Sequence, residues 1–317
     1  MKFHIELSKF LTLLLCFLGG FFALSFILTT SVKAQAQTGL SISPLVFELN
    51  GDPGNVITNQ IKIYNPTEFS VSVKVKVEDF SPVGEEGQVV IEEPDGKNTY
   101  SIATWTSVSP QEFTLGAKQQ KIITFTIRVP SNAEPGGHYG SIGAITSGGT
   151  SEVTGSISNS EVTSLILLRT SGNIKEEILI KDFKTVKPFF EYGPAEFELK
   201  FENTGNVHLK PAGFITITDM FGKQVAQIDV PQNNVIPDAV RSANVNWDQK
   251  NLIGNYTATL VTNYGSSSKQ TITSVTTFFA FPWKKGLIVA VVVLIIIFIL
   301  RRSRKRISKA LQALAGK

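Results

Sequence analysis

Apolar and polar residues alternate through most of the central part of the chain. Residues 69–77, FSVSVKVKV, alternate strictly, as a strand with one buried and one solvated face requires. The segments 122–129, IITFTIRV, and 214–218, FITIT, are similarly rich in β-branched and aromatic residues. Turn-forming Asn, Pro and Gly residues separate such segments, and none sustains helical periodicity beyond about ten residues. This pattern predicts an all-β protein built from sandwiches of short strands.

A weak internal repeat indicates that there are two such sandwiches. The first copy, NQIKIYNPTEFSVSVKVKV, turns at Asn65, and the second, AEFELKFENTGNVHLKPAGFITIT, turns at Asn203. Each copy later places a Gly two residues before a Tyr at the start of a strand, which gives Tyr139 and Tyr256 equivalent positions. That placement is compatible with a tyrosine corner, in which the phenol closes a Greek-key crossing onto nearby backbone. We therefore predict two Ig-like sandwiches in tandem.

The N-terminal segment has the features of an export signal. Lys2 and Lys9 provide a positively charged start, and a long apolar run covers residues 10–28. Ala34 and Ala36 offer the small side chains that a signal peptidase accepts, so we expect cleavage after one of them. The apolar run is longer than usual in a signal peptide, which leaves an uncleaved N-terminal anchor as the alternative.

The C-terminal segment predicts a single membrane span. Residues 286–300 are uninterrupted apolar sequence, but at about 1.5 Å each they cover only about 22 Å of a bilayer core of about 30 Å. The residues just before them lengthen the span, because an interfacial tryptophan and extended lysine side chains reach the headgroups. The larger basic cluster follows the span, which places the C-terminus in the cytoplasm and the bulk of the chain outside the plasma membrane. The residues that determine this topology are Trp283, Lys284, Lys285, Arg301, Arg302, Arg304, Lys305 and Arg306.

The predicted organisation follows from these segments. It is a signal peptide (1–36), an Ig-like sandwich with an inserted hairpin (37–172), a second Ig-like sandwich (173–279), a transmembrane helix (282–303) and a basic cytoplasmic tail (304–317). Between residues 37 and 281 there are 18 Lys and Arg against 25 Asp and Glu, a net charge of −7. This acidic balance argues against a nucleic-acid partner. Once the signal is removed no cysteine remains, so the exported part has neither a disulfide nor a thiol nucleophile.

The exported part shows no catalytic constellation, and we expect neither enzymatic activity nor a cofactor or metal. Its two histidines, His138 and His208, fall in different sandwiches and are expected to be solvated turn residues. Several acidic residues around Glu85 are expected to form a solvated hairpin tip rather than a calcium loop. An envelope hydrolase is an alternative, but no pair of carboxylates is marked out for it.

The first sandwich contains Ser43-Pro44, Asn65-Pro66, Trp105, Val129-Pro130, and Pro135-Gly136 before Tyr139. With these features, residues 40–146 resemble the N-terminal domain of WxL-interacting surface proteins. The resemblance implies an Ig-like, peptidoglycan-binding-type domain, followed over residues 174–277 by a domain that binds host or partner protein. The first sandwich also looks like that of a pilus chaperone. Trp105 and Tyr139 are the candidate binding residues, although a strand tryptophan is more often a packing residue.

Two functional hypotheses follow, and neither is enzymatic. In the first, the chain is a membrane-anchored cell-envelope protein whose Ig-like domains bind wall polymer, a surface protein, or both. In the alternative, it is an assembly chaperone or accessory subunit of an envelope complex, which captures one defined client at a free strand edge. Copurification of one stoichiometric protein, rather than of wall material, distinguishes the second hypothesis from the first.

Overall fold

The chain is an all-β protein of two tandem Ig-like sandwiches followed by one apolar helix. The computed structural model describes residues 39–94, 98–147, 160–266 and 269–314. The predicted signal peptide, with Ala34 and Ala36, lies outside the described residues. The strands of the first sandwich are β1 (Ser41–Ser43), β2 (Val46–Gly51), β3 (Val56–Tyr64), β4 (Val71–Val83), β5 (Gln88–Glu92), β6 (Thr106–Ser109), β7 (Glu112–Leu115), β8 (Gln120–Arg128), β9 (Gly136–Ser147) and β10 (Glu161–Thr170), with a 3-10 turn at Ala103–Trp105.

The first sandwich packs a sheet in the order β1-β3-β8-β6 against a larger sheet in the order β2-β10-β9-β4-β5, in which β7 also pairs with β4. The inward side chains of both sheets form one apolar core that includes Ile63, Val73, Phe125 and Ile166. The strict alternation predicted for residues 69–77 is present in β4, whose side chains are buried and exposed in turn from Val71 to Val75. Strand β2 pairs with β10 in parallel, whereas the remaining pairs of the larger sheet are antiparallel.

The second sandwich has two smaller sheets. Its strands are β11 (Ile178–Thr185), β12 (Phe189–Phe190), β13 (Ala195–Asn203), β14 (Ala212–Asp219), β15 (Gln224–Asp229), β16 (Val240–Trp247), β17 (Gly254–Tyr264) and β18 (Gln270–Ala280). One sheet has the order β11-β13-β16 and the other β12-β18-β17-β14-β15. Their core is rich in aromatic residues, with Trp247, Tyr256 and Phe278 in mutual edge and stacked contact. The predicted boundary at residues 172 and 173 stays a prediction.

The helix α1 (Trp283–Leu314) follows the second sandwich with only Phe281 and Pro282 between it and β18. Within its first 20 residues, an 18-residue stretch has a mean hydropathy of 2.6, and none of that stretch is buried inside the protein. Twenty residues at about 1.5 Å each reach about 30 Å, the thickness of a bilayer core. By length and composition this helix can cross a membrane once. It continues into the segment predicted to be the cytoplasmic tail and ends at Leu314.

Candidate functional site

The hairpin of β4 and β5 reaches from the first sandwich onto the second. At its turn, the Glu85 carboxylate forms an ion pair with Lys200 of β13. The Glu85 carbonyl accepts hydrogen bonds from the backbone N–H of Ser242 (2.6 Å) and from its hydroxyl (3.0 Å). This turn was predicted to be a solvated acidic tip; the Glu85 side chain is 43% exposed, and it is also paired with the second sandwich. The hairpin thus fastens the two sandwiches together.

A glycine in the same turn makes room for an arginine of the second sandwich. Gly87 has φ +83°, and a β-carbon there would overlap the guanidinium of Arg241. An L-residue at Gly87 is therefore disfavoured twice, by its own backbone and by the arginine. The Arg241 guanidinium packs against the Gly87 backbone, and this contact depends on the absence of a side chain.

Apolar side chains on the outer face of the larger sheet of the first sandwich are covered by the second sandwich. Phe80, Tyr139 and Leu167 are buried there, and Ile236 packs against them from the segment between β15 and β16. A sheet face of an Ig-like domain that meets only solvent carries polar residues. The apolar character of this face indicates that it packs against the second sandwich.

A cavity of about 380 Å³ lies beside this cluster, between the two sandwiches. Its wall on the first sandwich comes from β2, β4, β5 and β10, and its opposite wall comes from residues 232–241. The volume falls within the range of small-ligand pockets, roughly 300–1,000 Å³. Its apolar lining includes Val46, Phe80, Val89, Leu165, Leu167 and Ile236.

Charged and amide groups border this apolar space. Glu48 of β2 accepts hydrogen bonds at one oxygen from Asn234 Nδ2 (2.7 Å) and Lys210 Nζ (3.2 Å), both of the second sandwich. These two donors hold the pKa of Glu48 below its ordinary value, so the carboxylate is charged at neutral pH. Asn234 Oδ1 and Arg241 Nε are buried and find no hydrogen-bond partner among the described residues. A buried polar atom without a partner is costly, so these two atoms suit a bound group that supplies a donor and an acceptor.

The interface beyond the cavity joins Tyr139 to His208. The phenol oxygen of Tyr139 lies 3.4 Å from His208 Nδ1, and burial raises the pKa of this phenol. Burial also lowers the pKa of His208 to about 4, so its imidazole is neutral at pH 7. Tyr139 was compatible with a tyrosine corner, but its hydroxyl reaches the second sandwich instead. A backbone hydrogen bond of 2.7 Å from Gly137 N–H to the Asn206 carbonyl continues the interface.

Trp105, the other candidate binding residue, is partly buried in the first sandwich. Its ring lies 4.4 Å, centroid to centroid, from the ring of His138, and it packs against the core. His138 itself is buried, and its Nε2 lies 2.9 Å from the Glu134 carbonyl oxygen. Burial lowers the pKa of His138. The expectation that both histidines are solvated turn residues is therefore wrong, since one belongs to the core and the other to the interface.

The residues predicted to set the membrane topology lie in α1. Trp283 begins the helix, Lys284 forms an ion pair of 2.9 Å with Glu191 of the second sandwich, and Lys285 follows it. Arg301 and Arg302 are exposed on the helix, which continues through the remaining predicted basic positions, Arg304, Lys305 and Arg306. Their role in orientation stays a prediction.

The edge of the sheet next to the cavity is open. Strand β2 pairs with β10 on one side, and on its other side it pairs with no strand among the described residues. Val46 and Glu48 of β2 face the cavity, while Phe47 and Leu49 pack against the core. In the part of the chain that the structure describes, no three His, Cys, Asp or Glu side chains are grouped to hold a metal ion. The apolar lining and the open strand edge suit recognition of an apolar, extended ligand.

Comparison with known proteins gives structural similarity without a sequence family. No family model matches the chain, and no curated protein is significantly similar to it. The class 5 fimbriae chaperone CfaA is similar over 75% of this chain and 98% of its own, with 17% sequence identity and a TM-score of 0.40. The SafB chaperone, in a complex with the Salmonella enterica SafA pilin, gives 14% identity over 77% of this chain and 99% of its own, with a TM-score of 0.36. The E. coli chaperone DraB gives 12% identity over 74% of this chain and 95% of its own, with a TM-score of 0.35.

Proposed function

We propose that this protein is a membrane-anchored accessory protein of the cell envelope that binds an extended segment of a partner protein between its two sandwiches. It acts outside the plasma membrane and without catalysis. The observation that carries the proposal is the position of the cavity beside the open edge of β2. A strand added at that edge would place alternate side chains over the cavity, which is the geometry of β-strand addition.

The chemistry of the cavity favours a protein segment as the ligand. Backbone N–H and C=O groups of an added strand would pair with those of β2, while an apolar side chain would contact Leu165 and Leu167. Asn234 Oδ1 and Arg241 Nε, which lack partners among the described residues, offer one acceptor and one donor to polar groups of the same segment. Affinity would come from main-chain pairing, and selectivity from the side chain in the cavity.

The interface itself supports the choice of site. The Glu85 turn, the Glu48 hydrogen bonds and the Tyr139–His208 contact join the sandwiches around the cavity from several sides. A site held open in this way needs little reorganisation to bind, which lowers the free-energy cost of association. The helix α1 would keep the site at the outer face of the membrane.

Binding of wall polymer, the first of the two hypotheses from the sequence, stays a prediction. Its candidate aromatic, Trp105, is partly buried against His138 and presents less of its ring to a sugar than a stacking platform does. The resemblance to WxL-interacting proteins remains the argument for it. The experiment below therefore includes a wall-polymer arm.

Photocrosslinking from the open edge tests the proposal. Full-length protein carrying benzoylphenylalanine in place of Val46 would be expressed in its native host cells. The cells would be irradiated, and the crosslinked adducts would be identified by mass spectrometry. We expect one dominant protein adduct, which disappears when Leu167 is also replaced by Arg. The matched control places the crosslinker at Val90 of β5. This residue is 46% exposed against 41% for Val46 and lies at the other edge of the same sheet.

Two results would contradict the proposal. One is that crosslinkers at Val46 and at Val90 give the same set of adducts. The open edge of β2 would then bind no partner that the control edge does not also contact. The other is a combined result: no adduct forms from Val46, and the full-length protein sediments with purified peptidoglycan. Leu167→Arg would leave that sedimentation unchanged. That second result would support wall polymer as the ligand at a different surface.

A further inference from the structure

One end of the second sandwich carries an unusual set of exposed apolar side chains. Three connections meet at this end: residues 191–194 after β12, the β14–β15 turn, and residues 248–253 before β17. Each has a large apolar residue exposed at its tip. The exposed fractions are 65% for Tyr192, 60% for Met220, 86% for Phe221 and 65% for Ile253.

Strand pairing places all three connections at the end from which the helix leaves. Ala280, the last residue of β18, pairs with Gly254 at the start of β17 and with Phe190 at the end of β12. The end of β14 lies beside the start of β17, since Asp219 pairs with Tyr256. The apolar tips and the first turn of α1 therefore share one end of the sandwich.

The opposite end of the second sandwich has a different character. Its connections cover residues 204–211, 230–239 and 265–269, and the described residues among them expose no large apolar side chain. Val207, Leu209, Val230 and Val235 are all buried there. Exposed apolar tips are therefore a property of the helix end and not of the loops of this sandwich in general.

The junction between sandwich and helix is short and fixed. Only Phe281 and Pro282 separate β18 from α1, and the Phe281 N–H donates a 2.9 Å hydrogen bond to the Phe190 carbonyl. The ion pair of Lys284 with Glu191 ties the first helical turn to the loop that carries Tyr192. If α1 spans the bilayer from Trp283, the end of the sandwich can lie no farther from the headgroups than this junction allows.

We propose that the tips formed by Tyr192, Met220, Phe221 and Ile253 insert into the outer leaflet and seat the second sandwich on the lipid surface. Aromatic and apolar side chains favour the headgroup–acyl boundary, and groups that dock there are buried about 5–10 Å into it. Phe221 and Met220 enter beside the helix, and Tyr192 keeps its hydroxyl at the headgroups. This contact holds the sandwich in one orientation and presents the β2 edge at a fixed height above the membrane. The inference rests on the membrane span in the proposed function, but not on its ligand.

Lipid-depth quenching of a fluorophore tests this docking. Full-length protein with Cys16→Ala would carry an NBD group on Phe221→Cys and be reconstituted into phosphatidylcholine vesicles with or without lipid spin-labelled near the headgroup. We expect a blue-shifted emission and loss of most of the fluorescence in the spin-labelled vesicles. Ile253→Cys is expected to behave in the same way. Val90→Cys, an exposed position of the first sandwich, is the control and is expected to keep its fluorescence.

A fourth probe separates the docking from the span. Ile295→Cys lies inside the apolar stretch of α1 and reports insertion of the helix through quenching by a lipid spin-labelled deep in the acyl chain. Quenching at Ile295 with fluorescence at Phe221 as bright as at Val90 would overturn the docking and leave the span intact. Absence of quenching at Ile295 would overturn the span and the docking together. The crosslinking result at Val46 does not depend on the docking.

Discussion

Asn65 and Asn203 make the same hydrogen bonds at the same point of the two sandwiches. Each is fully buried at the end of a strand, and its Oδ1 accepts the backbone N–H of the second residue after it, at 3.0 Å for Asn65 and 2.9 Å for Asn203. Each Nδ2 donates to the carbonyl of the fourth residue after it, at 2.8 Å, and to a carbonyl of a separate connection, Gly116 for Asn65 and Val235 for Asn203. One buried amide thus closes a loop and ties it to a neighbour in both sandwiches.

The first prediction concerns this shared amide. In Asn203→Ala the Val207 carbonyl and the Gly205 N–H lose their partner in a buried site, while the Val235 carbonyl keeps only the Leu209 N–H. We expect the free energy of unfolding to fall by roughly 3 kcal/mol, since each unsatisfied buried group costs about 1–3 kcal/mol. Asn65→Ala should cost a similar amount in the first sandwich. Urea titration of the detergent-solubilised full-length protein, followed by tryptophan fluorescence, measures both.

Asn251→Ala is the control for these variants, because Asn251 is exposed in a loop and should change stability by less than about 0.5 kcal/mol. A loss in Asn203→Ala no larger than in Asn251→Ala would show that water replaces the amide. Asn203→Asp places a buried carboxylate against the Val207 and Val235 carbonyls and should cost at least as much as Asn203→Ala.

The equivalence of Asn65 and Asn203 could be predicted because the pattern that defines it lies within a short stretch of sequence. A strand, an asparagine, a turn and a second strand follow one another within about twenty residues, and both copies are visible in the sequence. The apolar span before a basic cluster is equally local. Alternation along β4 and the apolar residues of β10 likewise indicate sandwich strands without any knowledge of their partners.

The site could not be predicted in the same way, because its parts meet only through the packing of the two sandwiches. Glu85 contacts Ser242, and Glu48 contacts Asn234, across separations of more than 150 residues. The acidic hairpin therefore looked solvated, and Tyr139 looked like a corner residue. One signal was present in the sequence: Leu165 and Leu167 alternate with Ile166 and Leu168, so both faces of this strand are apolar, although only one can face the core of its own sandwich.

The second prediction uses Gly87 to loosen the interface between the sandwiches. In Gly87→Ala the new methyl group would displace the Arg241 guanidinium, in addition to the strain of about 1–2 kcal/mol at positive φ. We expect the backbone amide of Ser242, which donates to Glu85, to exchange its hydrogen faster in this variant. Hydrogen exchange with mass spectrometry measures this directly.

Gly54→Ala is the matched control for the strain. Gly54 has φ +86°, close to that of Gly87, but a β-carbon there meets no atom within 4 Å. Gly54→Ala should therefore show only the free-energy cost of a positive φ and leave hydrogen exchange at the Ser242 amide unchanged. Equal exchange at Ser242 in the two variants would mean that the Arg241 contact does not hold the hairpin in place.

The third prediction compares the stability contributions of Tyr139 and Tyr256, which occupy equivalent positions in the internal repeat. The Tyr256 hydroxyl accepts from the Ile253 N–H at 3.1 Å and donates to the Ile253 carbonyl at 3.3 Å, as a corner tyrosine does with nearby backbone. Tyr256→Phe should cost about 1–2 kcal/mol of unfolding free energy, because both backbone groups lose a partner. Tyr139→Phe removes one long contact to His208 and should cost less. Thermal unfolding of both variants measures the difference, and the reverse order would show that the interface, rather than the corner, needs its hydroxyl.

The fourth prediction is a loss of stability in mild acid that originates at His208. Burial lowers the pKa of this imidazole to about 4, whereas it titrates near 6.5 in the unfolded chain. Its surroundings include the Tyr139 phenol, the Glu48 carboxylate, which raises the pKa, and Arg169, which lowers it. Between these two pKa values the unfolded state binds a proton that the folded state does not, so stability falls as pH decreases from about 6.5 to 4.

The slope is at most about 1.4 kcal/mol per pH unit for one group, which gives a total of roughly 3 kcal/mol across this window. Burial depresses the pKa of His138 in the same direction, but His138 is present in both proteins when the wild type is compared with His208→Gln. The difference between the two stability curves therefore isolates His208. Glu48 has a lowered pKa and adds its own loss only at more acidic pH, as its carboxylate takes up a proton. Urea titrations of both proteins at several pH values between 7 and 4 measure the effect, and parallel curves would show that the folded protein accepts a charge on His208 at no cost.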